Sequence, residues 1–100
     1  MAVYYIASYD IDDPQTYEAY VPGVVPLLQK HGAEILVADY EGKTLEGQAC
    51  GVNVVLRFDS EEAAMNWYND PDYEPVKQIR LAATSNGTAL LAKQFVPPSQ

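Results

Sequence analysis

Apolar residues fill both alternating positions of the segment at 3–11, which reads VYYIASYDI. Branched and aromatic residues of this kind favour a β-strand. A strand that is apolar on both sides is usually central in its sheet and covered on both faces. We therefore predict a central strand at 3–11.

A helical pattern follows at 14–31. Asp13 can cap this helix, and Pro14 suits its first position, where the missing N–H costs nothing. The apolar stripe has helical spacing and consists of Tyr17, Tyr20, Val21, Val24 and Leu28. Pro22 and Pro26 lie inside the pattern, and each removes a backbone hydrogen bond, so we expect the helix to be kinked or split.

Two further strands are predicted at 34–40 and 51–59. The segment between them, 41–50, has two glycines and no regular period, which indicates a turn or a long hairpin connection. In the second of these strands one face is wholly apolar, with Val52, Val54, Leu56 and Phe58. We expect that face to meet the helices, which would put Asn53 and Arg57 on the other side of the sheet.

The segment 59–80, DSEEAAMNWYNDPDYEPVKQIR, predicts two short helices. Ser60 can cap the first, and Asn69-Asp70-Pro71 should end it, because the residue before a proline is pushed out of helical geometry. Asp72 can cap the second helix. Its predicted buried stripe is Val76, Ile79 and Ala83, and its predicted end is Asn86-Gly87. A last strand is predicted at 88–96, followed by a proline-rich tail at 97–100.

The predicted order is β-α-β-β-α-β, with the second helix broken in two. This is the order of an α+β, ferredoxin-like protomer with an antiparallel four-stranded sheet. Residues 1–96 are expected to form a single domain. Such a sheet carries helices on one face only, and its other face here is too apolar for water. We therefore predict a homodimer in which a second copy covers that face.

Charge and composition argue against several kinds of partner. The chain of 100 residues is acidic, with a net charge of −8 and six basic residues that form no patch. Phosphate backbones and anionic membrane surfaces are bound mainly through clustered Lys and Arg, so no nucleic acid or membrane partner is expected. Neither a signal peptide nor a membrane-spanning apolar run is recognisable, which predicts a cytoplasmic protein.

Three segments together resemble a known family. They are 4–6 followed by Asp13-Pro14, Tyr17 and Tyr20, then Leu45-Glu46-Gly47, and then the run from 60 to 80 with WYNDPDY at its centre. From about residue 4 to residue 95 the chain resembles the DUF1330 family, bacterial domains of unknown function in the dimeric α+β-barrel superfamily. The resemblance implies a ferredoxin-like protomer, a homodimer whose sheets form a barrel, and a pocket between sheet and helices. It implies no particular activity.

Arg57 and Arg80 are the candidate anion-binding residues, because a planar guanidinium can fork onto a carboxylate ligand. Each could instead pair with one of the fourteen acidic residues, for example Asp59 or Glu62. The eight tyrosines are an unusual number for 100 residues. Their hydroxyls could orient a ligand and their rings could stack on it, or they could serve core and interface packing.

The other candidates include Trp67, Tyr68 and Tyr17 as pocket-wall residues and Asn53 as a polar group that needs a partner. Tyr5 and His31 are the further candidates for catalysis, together with Arg80. His31 titrates near neutral pH and could act as a general base, or it could simply favour the end of its helix. Metal binding and a cofactor are not expected, because one His and one Cys provide no ligand spacing.

Two functional hypotheses follow. In the first, a homodimer binds a small apolar or aromatic organic acid in a pocket between sheet and helices, and cofactor-independent catalysis is an extension of that idea. In the second, the chain forms a non-catalytic structural or ligand-sensing dimer with a filled core. A pocket of a few hundred cubic ångströms with Arg80, Trp67 or a tyrosine on its wall would favour the first.

Overall fold

The computed structural model describes residues 1–98, which form four strands and four helices. The strands are β1 (Val3–Ile11), β2 (Glu34–Asp39), β3 (Val52–Phe58) and β4 (Thr84–Lys93). The helices are α1 (Pro14–Tyr17), α2 (Tyr20–Lys30), α3 (Glu61–Tyr68) and α4 (Tyr73–Ala83). The strands make one antiparallel sheet in the order β2-β3-β1-β4. The predicted α+β ferredoxin-like fold with a broken second helix is therefore confirmed.

The first predicted helix is split into α1 and α2, as its prolines indicate. The break falls at Glu18 and Ala19. A proline ring collides with the carbonyl group four residues earlier, and for Pro22 that carbonyl belongs to Glu18, so a continuous helix is disfavoured there. Pro22 then lies in the first turn of α2, where no N–H is needed, and Pro26 remains inside the helix.

Two of the three predicted helix caps form as expected. Asp13 Oδ1 accepts a hydrogen bond from Thr16 N at 3.1 Å, and Ser60 Oγ accepts one from Ala63 N at 3.1 Å. Asp72 occupies the position before α4, but its side chain makes no cap bond. Its backbone is helical there, and an N-cap that accepts from the first turn usually has an extended backbone.

The end of α4 differs from the prediction. The sequence pattern places it at Asn86-Gly87, but the helix stops at Ala83. Thr84 is extended, and its hydroxyl donates to the Arg80 carbonyl oxygen at 2.7 Å. A β-branched residue whose hydroxyl donates to a free carbonyl oxygen of the last turn can end a helix without a glycine.

Asn86-Gly87 instead form an irregularity inside β4. The register against β1 shifts between Ser8 and Asp10, and Asn86 has a φ of 57°. Asparagine tolerates this left-handed conformation better than most residues, so the dipeptide bends a strand. β4 therefore starts before the predicted 88 and ends at Lys93. Of the predicted tail, positions 97 and 98 lie outside helix and strand, and 99 and 100 lie outside the described residues.

The helices cover one face of the sheet, and the core lies between them. On β1 this face consists of Val3, Tyr5, Ala7 and Tyr9, all buried. On β3 it consists of Val52, Val54, Leu56 and Phe58, as predicted, with Val54 only partly buried. The largest fully buried side chains are Trp67, Tyr9, Tyr73 and Phe58. The core is thus built largely from aromatic residues.

The opposite face of the sheet carries an apolar row that crosses all four strands. Val37 pairs with Val55, Val55 with Ile6, and Ile6 with Leu90. Ile6 is 36% exposed, Val37 42% and Leu90 51%. We call these four residues the open-face row. The row confirms the prediction that the side of the sheet away from the helices is apolar.

Candidate functional site

A pocket lies between the helix-facing side of the sheet and the helices. Its aromatic wall consists of Tyr5, Tyr9, Tyr17, Tyr20, Tyr40 and Trp67. Its aliphatic wall includes Val21, Val24, Val25, Leu28, Val54 and Leu56. Among residues 1–98, Arg80 is the only charged residue on the wall. The cavity between these side chains has a volume of about 80 Å³ and is open to solvent. We call it the tyrosine pocket.

The local structure explains why these side chains converge. Tyr5 and Tyr9 are four residues apart on β1, so they point to the same face of the sheet. Tyr17 ends α1 and Tyr20 begins α2, so the split between these helices turns both rings inward. Arg80 lies two helical turns after Tyr73 on the buried face of α4.

Arg80 is a buried cation without an acidic partner. It is 5% exposed, and no carboxylate of residues 1–98 lies within ion-pair distance of it. Its Cζ atom is 5.7 Å from the ring centroid of Tyr9 and 5.9 Å from that of Tyr20. Aromatic faces attract a guanidinium at such distances. Burial acts to lower the pKa of Arg80, whereas the charges that Tyr5, Tyr73 and Tyr20 acquire when they ionise, and a hydrogen bond with Tyr73, act to raise it, and the net shift is upward.

Four of the tyrosines form two buried phenol pairs. The hydroxyl oxygens of Tyr9 and Tyr17 are 2.6 Å apart, and those of Tyr20 and Tyr73 are 2.7 Å apart. Burial raises the pKa of Tyr20 to about 12, and burial with neighbouring phenols raises the pKa of Tyr17 and Tyr73 further. Burial also raises the pKa of Tyr9. These phenols therefore keep their protons at neutral pH, and each can both donate and accept a hydrogen bond.

Three buried polar atoms of the described residues have no hydrogen-bond partner: the Tyr5 hydroxyl, Trp67 Nε1 and Arg80 Nε. All three residues line the tyrosine pocket. Buried polar groups usually have partners, so these three atoms lack the hydrogen bonds that such groups normally make within a protein. Each of the three atoms carries a proton that it can donate. The arrangement suits a ligand that accepts hydrogen bonds.

A family comparison places the chain among known sequences. A family model described as Domain of unknown function (DUF1330) matches residues 2–94. The chain belongs to the DUF1330 family. A comparison with curated proteins found no match. The resemblance seen in the tryptophan-containing segment and the tyrosines is thus confirmed over nearly the whole chain.

Several solved structures share the fold of this DUF1330 chain. A protein of unknown function from Rhodopseudomonas palustris is 16% identical, with a TM-score of 0.82 over 96% of this chain and 84% of that one. A dimeric ferredoxin-like protein of unknown function from Bacteroides fragilis is 11% identical, with a TM-score of 0.65 over 93% and 96%. Another from Thermobifida fusca is 20% identical, with a TM-score of 0.58 over 94% and 92%. At such identities the likeness shows the fold alone.

The structure brings four of the predicted site residues together. Arg80, Tyr5, Trp67 and Tyr17 all line the tyrosine pocket. Tyr68 lies on a second cavity between α3 and β4, with a volume of about 230 Å³. Tyr5 and Trp67 line both cavities, and their rings meet edge to face with centroids 5.0 Å apart. They form the wall between the two.

His31 lies away from the tyrosine pocket. Its Nε2 is 2.8 Å from Asp70 Oδ2, and the same oxygen accepts from Lys30 Nζ at 2.9 Å. Asp70 Oδ1 accepts from the backbone N–H of Asp72 at 2.9 Å. These contacts, that of His31 first, hold the pKa of Asp70 well below its usual range. They tie the end of α2 to the break between α3 and α4.

Asn53 and Arg57 also lie elsewhere, on the open face of the sheet. Asn53 Oδ1 accepts from Ser8 Oγ at 2.7 Å, and its Nδ2 donates to the Cys50 carbonyl oxygen at 3.0 Å. The amide is therefore satisfied within the chain. Arg57 Nη1 donates to Asp59 Oδ1 at 3.0 Å in an exposed ion pair. This is the pairing that the sequence offered as the alternative to ligand binding.

Sequence reasoning did not single out Tyr9, Tyr20, Tyr40 and Tyr73 as site residues, although the abundance of tyrosine was evident. Two signals could have found two of them. Tyr9 shares the strand face of Tyr5, and Tyr73 and Arg80 are seven residues apart on one helix face. The predicted stripe of α4 was partly wrong: Tyr73, Arg80 and Ala83 are its buried residues, and Val76 and Ile79 are only partly buried.

Metal ligands and membrane-spanning helices are both missing from residues 1–98. That part of the chain has no cluster of three or more His, Cys, Asp or Glu side chains that could hold a metal ion. None of its helices combines the length and apolar character needed to span a bilayer. The cytoplasmic location and the absence of a cofactor stay predictions.

Proposed function

We propose that this protein is a homodimer whose tyrosine pocket binds a small organic anion with an aromatic or apolar body. The observation that carries the proposal is Arg80, a guanidinium that is only 5% exposed on the wall of an open pocket. No carboxylate of residues 1–98 neutralises it. A ligand with a carboxylate would supply the missing partner.

The composition makes this lack of a partner informative. The chain has fourteen acidic and only six basic residues. Burying a charge without a partner costs free energy, so a chain this rich in acids would be expected to place one beside a buried guanidinium. The Tyr5 hydroxyl and Trp67 Nε1, which also have no partner, belong to residues that line this pocket and the second cavity. Such a set of donors suits a carboxylate, which accepts several hydrogen bonds at once.

The walls indicate what the rest of the ligand looks like. Valine and leucine side chains of α2 and β3 line the pocket together with the aromatic residues. An apolar or aromatic body would fill this space, and an aromatic ring could pack on the tyrosines at centroid distances of roughly 4.5–7 Å. The cavity has a volume of about 80 Å³ and opens to solvent, so the proposal is limited to a compact ligand, such as a substituted benzoate, that extends into the mouth.

Binding is better supported than catalysis. General acid–base chemistry is most efficient with a group that titrates near the working pH. The described wall of the pocket has no His, Asp, Glu, Lys or Cys, and the phenols of Tyr5, Tyr9, Tyr17 and Tyr20 have raised pKa values. His31 is engaged with Asp70 outside the pocket. The tyrosine pocket has a volume of about 80 Å³, below the few hundred cubic ångströms that would favour the first hypothesis, so the alternative of a dimer with a filled core stays open.

The proposed dimer uses the open-face row. Val37, Val55, Ile6 and Leu90 form a continuous apolar band across the sheet. A second copy related by a two-fold axis would cover this band with its own, which is the commonest symmetry of soluble oligomers. Two structural relatives with the same fold are described as dimeric. These observations support the dimer for this chain.

Calorimetric titration and thermal shift test the binding proposal. Benzoate and phenylacetate are compared with benzamide and phenylacetamide, which match them in shape but carry no charge. We expect the acids to bind at least about tenfold more tightly, because hydrogen bonds to charged groups contribute about 1.5–3 kcal/mol. Bound ligand should also raise the melting temperature, by more at higher occupancy.

The matched variants are Arg80→Gln and Arg57→Gln. Each removes one guanidinium, but only Arg80 lies in the pocket, and Arg57 pairs with Asp59 on the surface. We expect Arg80→Gln to abolish the preference for acids and Arg57→Gln to leave it unchanged. The proposal would be wrong if neither acid bound the wild-type protein, or if both variants bound the acids equally well.

A further inference from the structure

We propose that the tyrosine pocket binds acidic phenols and enols as their oxyanions and releases the ligand's proton to solvent. This inference rests on the proposed function, because it concerns the same pocket and the same guanidinium. It goes beyond anion binding, since it states that the site itself favours ionisation of weak acids that are partly protonated in water. Only an O–H bond of the ligand breaks: the neutral acid enters, its oxyanion stays, and one proton passes to the buffer.

The first step of the argument is the imbalance between donors and acceptors. The Tyr5 hydroxyl, Trp67 Nε1 and Arg80 Nε are buried without partners, and all three can donate. The only oxygen atoms on the side chains of the described wall are those of phenols. An incoming group with lone pairs therefore finds several donors, whereas an incoming O–H finds only weakly accepting phenol oxygens.

The two phenol pairs each leave one hydroxyl proton unused within the pair. In a pair such as Tyr20–Tyr73, with oxygens 2.7 Å apart, one hydroxyl donates to the other. The accepting hydroxyl still has its own proton to place. The same holds for Tyr9–Tyr17 at 2.6 Å. Tyr40 lies near Tyr17, with ring centroids 6.2 Å apart. If the Tyr40 hydroxyl accepts the remaining proton of this pair, its own proton in turn needs an acceptor. Each pair thus has one proton left to donate, together with free lone pairs that can accept.

The positive charge of Arg80 also favours the oxyanion of the ligand. The titratable side chains around Arg80 are Tyr5 and Tyr9 of β1, Tyr20 of α2 and Tyr73 of α4. All are phenols that keep their protons at neutral pH, so none supplies a negative charge. A nearby cation and hydrogen bonds to the charged form both favour ionisation of a bound acid. The oxyanion of a ligand would be the only negative charge beside the guanidinium.

The aromatic wall favours a conjugated ligand. A phenolate or enolate is planar, and its π-system can pack against Tyr9, Tyr17 or Trp67 while the oxygen faces Arg80. A saturated alcohol would offer the same oxygen, but it is too weak an acid to ionise near neutral pH. The pocket therefore discriminates between hydroxyl groups by their acidity.

Spectrophotometric titration of para-nitrophenol tests this inference, because its anion is coloured and its ionisation occurs near neutral pH. We expect its apparent pKa in the presence of saturating protein to fall by at least about one unit, which means that the anion binds at least about tenfold more tightly than the neutral phenol. Arg80→Gln should remove the shift, and Arg57→Gln should retain it. Tyr5→Phe keeps the ring and removes one unpaired donor, so it should reduce the shift. This variant provides the test if Arg80→Gln does not fold.

Benzoate binding, measured in parallel, separates this inference from the proposed function. If benzoate binds and the apparent pKa of para-nitrophenol is unchanged at saturation, the oxyanion inference is wrong and the anion site stands. The inference is equally wrong if para-nitrophenol fails to bind a protein that binds benzoate. A shift that persists in both Arg80→Gln and Tyr5→Phe would mean that the phenol ionises at some other place. If neither compound binds, both proposals fail.

Discussion

We predict that removal of the unpaired Tyr5 hydroxyl stabilises the protein. Tyr5 is 5% exposed, and its hydroxyl has no partner among residues 1–98. Burying a hydroxyl without a hydrogen bond costs about 1–3 kcal/mol in proteins. Tyr5→Phe removes that cost and keeps the ring that meets Trp67 edge to face. We expect its free energy of unfolding to rise by about 1–2 kcal/mol.

Tyr73→Phe is the matched variant, with the opposite expected sign. Tyr73 is fully buried, and its hydroxyl is 2.7 Å from that of Tyr20. The substitution removes one hydrogen bond and leaves the buried Tyr20 hydroxyl unpaired, so the free energy of unfolding should fall by about 1–3 kcal/mol. The two substitutions delete the same atom, and they should differ by at least about 2 kcal/mol.

Urea unfolding at equilibrium measures this difference. For a domain of this size a change of about 1 kcal/mol moves the melting temperature by roughly 4–8 °C, so thermal melts give a second readout. Both variants are compared at one protein concentration, because dimerisation contributes to apparent stability. Tyr5→Phe should also bind benzoate more weakly, which would show that the Tyr5 hydroxyl contributes to binding at a cost in stability. If Tyr5→Phe destabilised the protein as much as Tyr73→Phe, the hydroxyl would have a partner and the reasoning would fail.

Two further predictions concern the dimer and the acid side of stability. Ile6→Glu puts a charge on the open-face row and should yield a monomer of 11.0 kDa in sedimentation. The control Leu81→Glu, at an exposed position of α4, should remain dimeric. A monomeric wild type would contradict the dimer. The depressed pKa of Asp70 means that its carboxylate stabilises the folded protein above roughly pH 4 and that this contribution is lost as the pH falls. Urea unfolding should show Asp70→Asn less stable than wild type at neutral pH, with the gap narrowing as the pH falls below about 4.

Most of the fold could be predicted because local signals and global topology agree. The apolar alternation at 3–11, the proline-broken first helix and the break at 69–71 all lie where the sequence indicates. Asn86-Gly87 is the exception. Its signal for a backbone bend is correct, but the signal does not say which element bends. The hydroxyl of Thr84 and the pairing of β4 with β1 decide that, and both depend on contacts across the fold.

The site could be predicted only in part, because burial of polar residues is not visible in a sequence. Arg80 and Arg57 were equal as residue types, and only the fold separates a buried guanidinium without a carboxylate from an exposed one beside Asp59. His31 was a reasonable candidate by chemistry, but Asp70, thirty-nine residues away along the chain, takes its Nε2. The phenol pairs join residues up to fifty-three positions apart, and no local pattern encodes such a pairing.

The most direct test of the anion site is a crystal structure of the protein with para-bromobenzoate. The anomalous signal of the bromine locates the body of the ligand independently of its carboxylate. We expect the carboxylate within about 2.7–3.2 Å of the Arg80 guanidinium and the bromine against the valines of α2. A ligand bound at Arg57 or on the open-face row, with the tyrosine pocket left without it, would contradict the account.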